Sequence, residues 1–156
     1  MSGAAAEATA KLDPQTAARL HAPERWPELC GLLADLAPRL EFVGAFSADG
    51  DILALSAAGA APLQQPPLDT LWALAERLGG PSPLGGKPNQ GLQRAMVTTG
   101  RRKLLVRALS SSRGYVFACG ESEGFTTDAW LLLDAVAVLG GALEIRRTLS
   151  SQEEKR

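Results

Sequence analysis

Apolar positions along the chain switch between two periods, and the switches mark out its elements. From Glu24 to Ala37, Leu29, Leu32, Leu33 and Leu36 recur at the i, i+3, i+4, i+7 spacing of one helical face. Pro27 suits only the first turn of that helix, and Pro38 ends it, because the residue before a proline is pushed out of the helical region. Glu41 to Phe46 and Asp51 to Leu55 are short strand-like runs around Ser47-Ala48-Asp49-Gly50, where Asp-Gly supplies the positive φ of a tight hairpin. Ala57 to Pro67, with Gly59, Pro62, Pro66 and Pro67, reads as a loop. It leads to a short second helix, predicted to be capped by Asp69, striped by Leu71, Leu74, Ala75 and Leu78, and stopped by Gly79-Gly80.

Glycine and proline crowd Gly79 to Gly91, which predicts an irregular, mobile loop. Leu92 to Thr98, Lys103 to Leu109 and Tyr115 to Cys119 follow with short turns between them, as an antiparallel meander requires. Thr126 or Thr127 then caps a last helix whose Leu132, Leu133, Val136, Leu139 and Leu143 can cover one sheet face, with Gly140-Gly141 weakening its final turns. The order predicts an α/β (α+β) sandwich, with five strands in antiparallel connection and helices packed on the sheet. Residues 1–22 read as a mobile arm, 23–148 as the domain and 149–156 as a polar tail.

A chain of 156 residues can bury one core without disulfides or metal. Its net charge of -1 implies no general attraction to nucleic acid or acidic membranes. Charge is nevertheless uneven: no acid occurs from Lys87 through Gly120, where Arg94, Arg101, Arg102, Lys103, Arg107 and Arg113 fall. Met1 to Leu20 contains Glu7 and does not resemble a secretory signal, so a cytoplasmic location is expected. Ala129 to Leu143 is interrupted by Asp134 and is shorter than the roughly 20 residues of a membrane helix, so no membrane span is expected. Cys30 and Cys119 lie inside apolar elements and read as buried structural thiols.

Reactive constellations are missing from the pattern. Gly79 to Lys87 superficially matches a phosphate loop, but its spacing is one residue too long and Pro88 replaces the required hydroxyl. His21, the only histidine, lies in or beside the arm, so no Cys–His or Ser–His pair is expected. Asp49 and Asp51 belong to a turn, Asp69 to a cap, and Glu121 and Glu123 to a loop, a poor set for Mg²⁺. No catalytic residue, metal or cofactor is therefore expected, and the chain is read as not an enzyme. Arg101-Arg102-Lys103 forms a hairpin tip that solvation explains; as a functional patch, extended by Arg94 and Arg107, it would face an acidic partner or phosphate. Trp72 falls out of line with the Leu71, Leu74, Leu78 stripe, so it is either an exposed contact anchor or packed under the proline-rich loop.

The strand, turn and strand from Phe42 to Ala54, set in this order of elements, resemble the Roadblock/dynein light chain family. Pro66-Pro67-Leu68-Asp69-Thr70-Leu71, leading into the second helix, resembles its bacterial branch, whose members regulate Ras-like polarity GTPases. The likeness spans about Leu29 to Ile145. It implies a sheet ordered 2-1-5-4-3, the first and third helices on one face and the second on the other. It also implies a homodimer, or a heterodimer with another Roadblock protein, built by pairing third strands and second helices. Leu71, Leu92, Arg94, Met96 and Thr98 would then belong to the seam, and a small Ras-like GTPase would sit near Trp72, Glu76 and Arg77. The second helix is shorter than in the bacterial regulators, which leaves GTPase activation and a scaffolding role both open. A small-ligand sensory module of PAS, GAF or profilin-like type is the alternative, and it would need an apolar pocket between Trp130 and the sheet.

Overall fold

The computed structural model describes residues 9–57, 65–79, 94–110 and 114–154. Its elements are α1 (Pro14–His21), α2 (Trp26–Leu36), β1 (Leu40–Ser47), β2 (Ile52–Ala57), α3 (Leu68–Gly79), β3 (Arg94–Thr99), β4 (Arg102–Ala108), β5 (Gly114–Glu121), a 3-10 turn (Ser122–Gly124) and α4 (Thr127–Glu154). The five strands form one antiparallel sheet in the order β2-β1-β5-β4-β3. Central β1 and β5 are buried nearly throughout, which is why both read as unbroken apolar runs rather than alternating ones. The edge strand β3 alternates between exposed and half-buried positions over Arg94 to Thr98, and β2 is covered chiefly at Leu53 and Ala54.

Two cores flank the sheet. On one face Leu29, Cys30, Leu33 and Ala34 of α2 meet Leu132, Leu133, Val136 and Leu143 of α4 over Val43, Ala45, Leu105, Val116 and Ala118. On the other, Leu71, Leu74, Ala75 and Leu78 of α3 cover Phe42, Phe46, Leu104, Val106 and Phe117. The period-two alternation of β4 divides the cores: Leu104 and Val106 face α3, while Leu105 faces α4. The predicted fold class, sheet order and helix placement are all present.

The β1–β2 turn is closed by Ser47 as much as by glycine. Its N–H donates to the Asp51 carbonyl at 2.8 Å, and its hydroxyl oxygen accepts from the Asp49 and Asp51 N–H groups at 3.3 and 3.1 Å. Gly50 takes the expected left-handed conformation at φ 93°.

Several boundaries differ from expectation. The segment read as an arm contains α1, whose start is capped by Asp13 accepting from Gln15 and Thr16 N–H groups at 3.0 and 3.1 Å. Its Leu20 is buried in the α2–α4 core. α3 begins one residue before the predicted cap: the Leu71 N–H donates to the Pro67 carbonyl at 3.0 Å, and Asp69 sits within the first turn. There its charge meets the positive end of the helix dipole. α4 is capped by Thr126, whose hydroxyl accepts from the Ala129 N–H at 3.1 Å, and it runs for 28 residues, through the predicted tail to Glu154. The irregular loop predicted for Gly79 to Gly91 lies outside the described residues beyond Gly79 itself.

Candidate functional site

Three surfaces merit construction from their residues. The first is the outer edge of β3, which pairs with no further strand among the described residues. Ala95 and Val97 point to the α3 core, so Arg94, Met96 and Thr98 occupy the opposite side, paired across the ladder with Arg107, Leu105 and Lys103. Leu105 is buried, whereas Met96 beside it, on the edge strand, remains 45 % exposed. The Arg94 guanidinium lies over the Trp130 ring, 4.8 Å from its centroid, a cation–π contact that ties the edge strand to the start of α4. The Phe125 ring also packs on Trp130, with centroids 5.8 Å apart.

Of the residues expected at a seam between copies, Arg94, Met96 and Thr98 share this edge. Leu71 does not: it is wholly buried against the sheet and has no surface to offer a partner. That is a correction, and its cause is the helical stripe itself, which turns Leu71 inward with Leu74 and Leu78. Leu92 lies outside the described residues.

The second surface is the outer side of α3. Trp72 is half-buried rather than free: its ring meets Phe46 edge-on at 5.5 Å and Tyr115 at 6.1 Å, and it lies against Gly50 of the β1–β2 turn. The indole therefore fastens α3 to the hairpin, while Glu76 and Arg77 stand exposed one turn further along. Burial, and then the Glu76 carboxylate, raise the Tyr115 phenol above its ordinary value.

The third is the basic run, and it is less cationic than its sequence. Arg102 is ion-paired to Glu41 of β1, and Arg107 to Asp134 of α4 at 2.9 Å. Acids from β1 and α4 thus compensate these two arginines, while Arg94 is stacked on Trp130. Arg101 stays exposed at the turn, and Arg113 lies outside the described residues.

The acids dismissed as catalysts keep structural places. Glu123 reaches Arg39 at 3.7 Å across an exposed surface, a pair of little energetic weight. Among the described residues, no three His, Cys, Asp or Glu side chains gather as a metal set. His21 ends α1 in solvent. Burial pushes the Cys30 and Cys119 thiols up to about 12, the state of inert core cysteines.

One buried polar group was invisible in the sequence. Glu144 of α4 is 2 % exposed, accepts the Trp26 Nε1–H at 3.1 Å and binds the Arg147 guanidinium, whose Nε–H lies 3.1 and 3.0 Å from its two oxygens. The carboxylate in turn raises the Arg147 pKa. Gly140, one turn earlier, leaves the space in which the indole lies: a Cβ there would stand 2.9 Å from Trp26 Cζ2. The only sequence signal was a Gly-x-x-x-Glu spacing on one helix face, which solvation explains equally well.

No family model matches the chain, and no curated protein sequence does. Solved structures do match its fold. A structure of MglB with tetrameric arrangement shares 17 % identity over 94 % of each chain at a TM-score of 0.56. The gliding protein MglB from Thermus thermophilus shares 17 % identity over 94 % of this chain and 95 % of that one, at a TM-score of 0.55. The sheet order 2-1-5-4-3 and the placement of the helices are those of this Roadblock-type fold.

Proposed function

We propose that the chain is a dimeric regulator or scaffold of a small Ras-like GTPase system, acting by surface contact rather than by chemistry of its own. The observation that carries this reading is the 2-1-5-4-3 sheet of the MglB-like fold, with β3 at an open edge and α3 beside it. An unpaired strand edge is a template for association, and Met96 adds exposed apolar surface to it. Self-association in a neighbour described as tetrameric supports the same reading. The seam consists of Leu92, Arg94, Met96 and Thr98, and two copies joined there present their α3 helices on one side.

The partner GTPase contacts Glu76 and Arg77, with Trp72 setting the position of α3 rather than serving as a free anchor. Work in the cytoplasm, in a cell-polarity system, belongs to the same proposal, as does pairing with a second Roadblock protein in place of a second copy. Pull-down of Ras-like GTPases loaded with GDP or a non-hydrolysable GTP analogue tests it: retention in one nucleotide state is expected, and no retention in either state refutes the regulatory role.

A further inference from the structure

The C-terminal half of α4, the start of α2 and Leu53 of β2 enclose an open cleft of about 610 Å³. Trp26, Pro27, Leu53 and Leu143 supply the apolar part of its lining. Along its α4 wall, Leu143, Arg146, Arg147 and Ser150 recur at i, i+3, i+4 and i+7, a strip about 10 Å long. Arg25 faces that strip from the N-terminus of α2, and Glu24 is the one acid among the lining residues.

The three arginines are not equivalent. Arg147 is committed to Glu144 and also feels Asp49 and Asp51 of the β1–β2 turn. Arg25 and Arg146 make no ion pair with any described residue. The cleft thus sets two guanidinium groups without an ion-pair partner, against the single Glu24 carboxylate, beside its apolar lining. A small inorganic anion would leave that lining wet, and a purely apolar ligand would leave both charges unanswered. The adjoining face of α4 exposes Ile145 and Leu149, at 46 % and 55 %, so apolar surface continues past the rim and favours a chain over a small molecule.

We infer that this cleft binds an acidic segment of a partner protein, one that places an apolar side chain between carboxylates. The apolar side chain rests on Trp26, Leu53 and Leu143, and the flanking carboxylates pair with Arg25 and Arg146, where bidentate bonds add orientation. The site lies beside β2, at the opposite edge of the sheet from β3, so it can be filled while the β3 edge is paired. It stands independently of the dimer and GTPase readings.

Fluorescence anisotropy tests it, with labelled Glu-Glu-Leu-Leu-Glu-Glu titrated against the full chain. Lys-Lys-Leu-Leu-Lys-Lys and Glu-Glu-Ser-Ser-Glu-Glu serve as counterparts. Saturable binding about tenfold tighter than either counterpart is expected, with an affinity loss of about tenfold in Arg25→Glu/Arg146→Glu at unchanged far-UV circular dichroism. Arg101→Glu, at the distant β3–β4 turn, should bind as wild type. Equal affinity for the three peptides, no binding, an unaffected double variant, or displacement by inorganic phosphate would each overturn the assignment.

Discussion

Replacing Gly140 by alanine sets two opposed effects against each other, and the structure decides the sign. In an exposed helix interior the change would stabilise by about 1 kcal/mol through helix propensity alone. Here the added methyl would collide with the edge of the Trp26 indole, whose Cζ2 and Cζ3 atoms would stand 2.9 and 3.0 Å from it. The ring cannot swing aside freely, because its Nε1–H is bonded at 3.1 Å to the buried Glu144 carboxylate. Displacing it weakens a hydrogen bond to a charged group, about 1.5–3 kcal/mol, or strains the core by an overpacking cost of about 1–3 kcal/mol. The net result is destabilisation by up to about 2 kcal/mol, read as a lower urea midpoint at unchanged slope in far-UV circular dichroism. In a Trp26→Ala background the obstacle is gone, and Gly140→Ala should stabilise by up to about 1 kcal/mol. A raised midpoint for Gly140→Ala in the otherwise native chain would refute the reasoning.

Met96→Arg places a charge on the exposed side of β3 and should shift the chain from dimer to monomer in sedimentation velocity, with its circular dichroism retained. Trp72→Ala should cost about 2 kcal/mol in urea unfolding, since the ring packs on Phe46 and Tyr115; a neutral effect would restore Trp72 as a free contact residue. Glu76→Arg, exposed on α3, should instead leave stability within about 0.5 kcal/mol while reducing GTPase retention. Cys30 and Cys119, with pKa values raised by burial to about 12, should resist a thiol reagent in the native chain and both react after denaturation. Because the folded thiols titrate above the ordinary thiol value of 9.0, they favour folding below that pH, and stability should fall as pH rises past about 9. Prompt native labelling would contradict their burial.

The elements that read clearly in the sequence are those whose side-chain period matches a single environment. α3 stripes because one side faces the core, and Asp-Gly marks the β1–β2 turn because its glycine takes a positive φ. Long-range polar partners left no such trace. Trp26 and Glu144 are 118 positions apart, so nothing local distinguishes Glu144 from the solvated acids around it. Gly140 read as a weak point in a helix, whereas it is the slot for an indole from another element. The run Arg101-Arg102-Lys103 looked cationic because Glu41 and Asp134, which compensate Arg102 and Arg107, arrive from β1 and α4. Trp72 was ambiguous for a related reason: its place on the helical wheel was right, but the hairpin that receives it is an independent element. The β3 edge was legible as an edge only through the resemblance, since strand order is not encoded in periodicity.

Isothermal titration of the chain with a Ras-like GTPase, loaded with a non-hydrolysable GTP analogue, bears most directly on the proposed function. Two chains joined along β3 and offering paired α3 helices should give saturable heat at a stoichiometry of about two chains to one GTPase, lost on Glu76→Arg and on Met96→Arg. Absence of heat for every nucleotide-loaded GTPase tried, or one-to-one binding by a monomer unaffected by Met96→Arg, would contradict it.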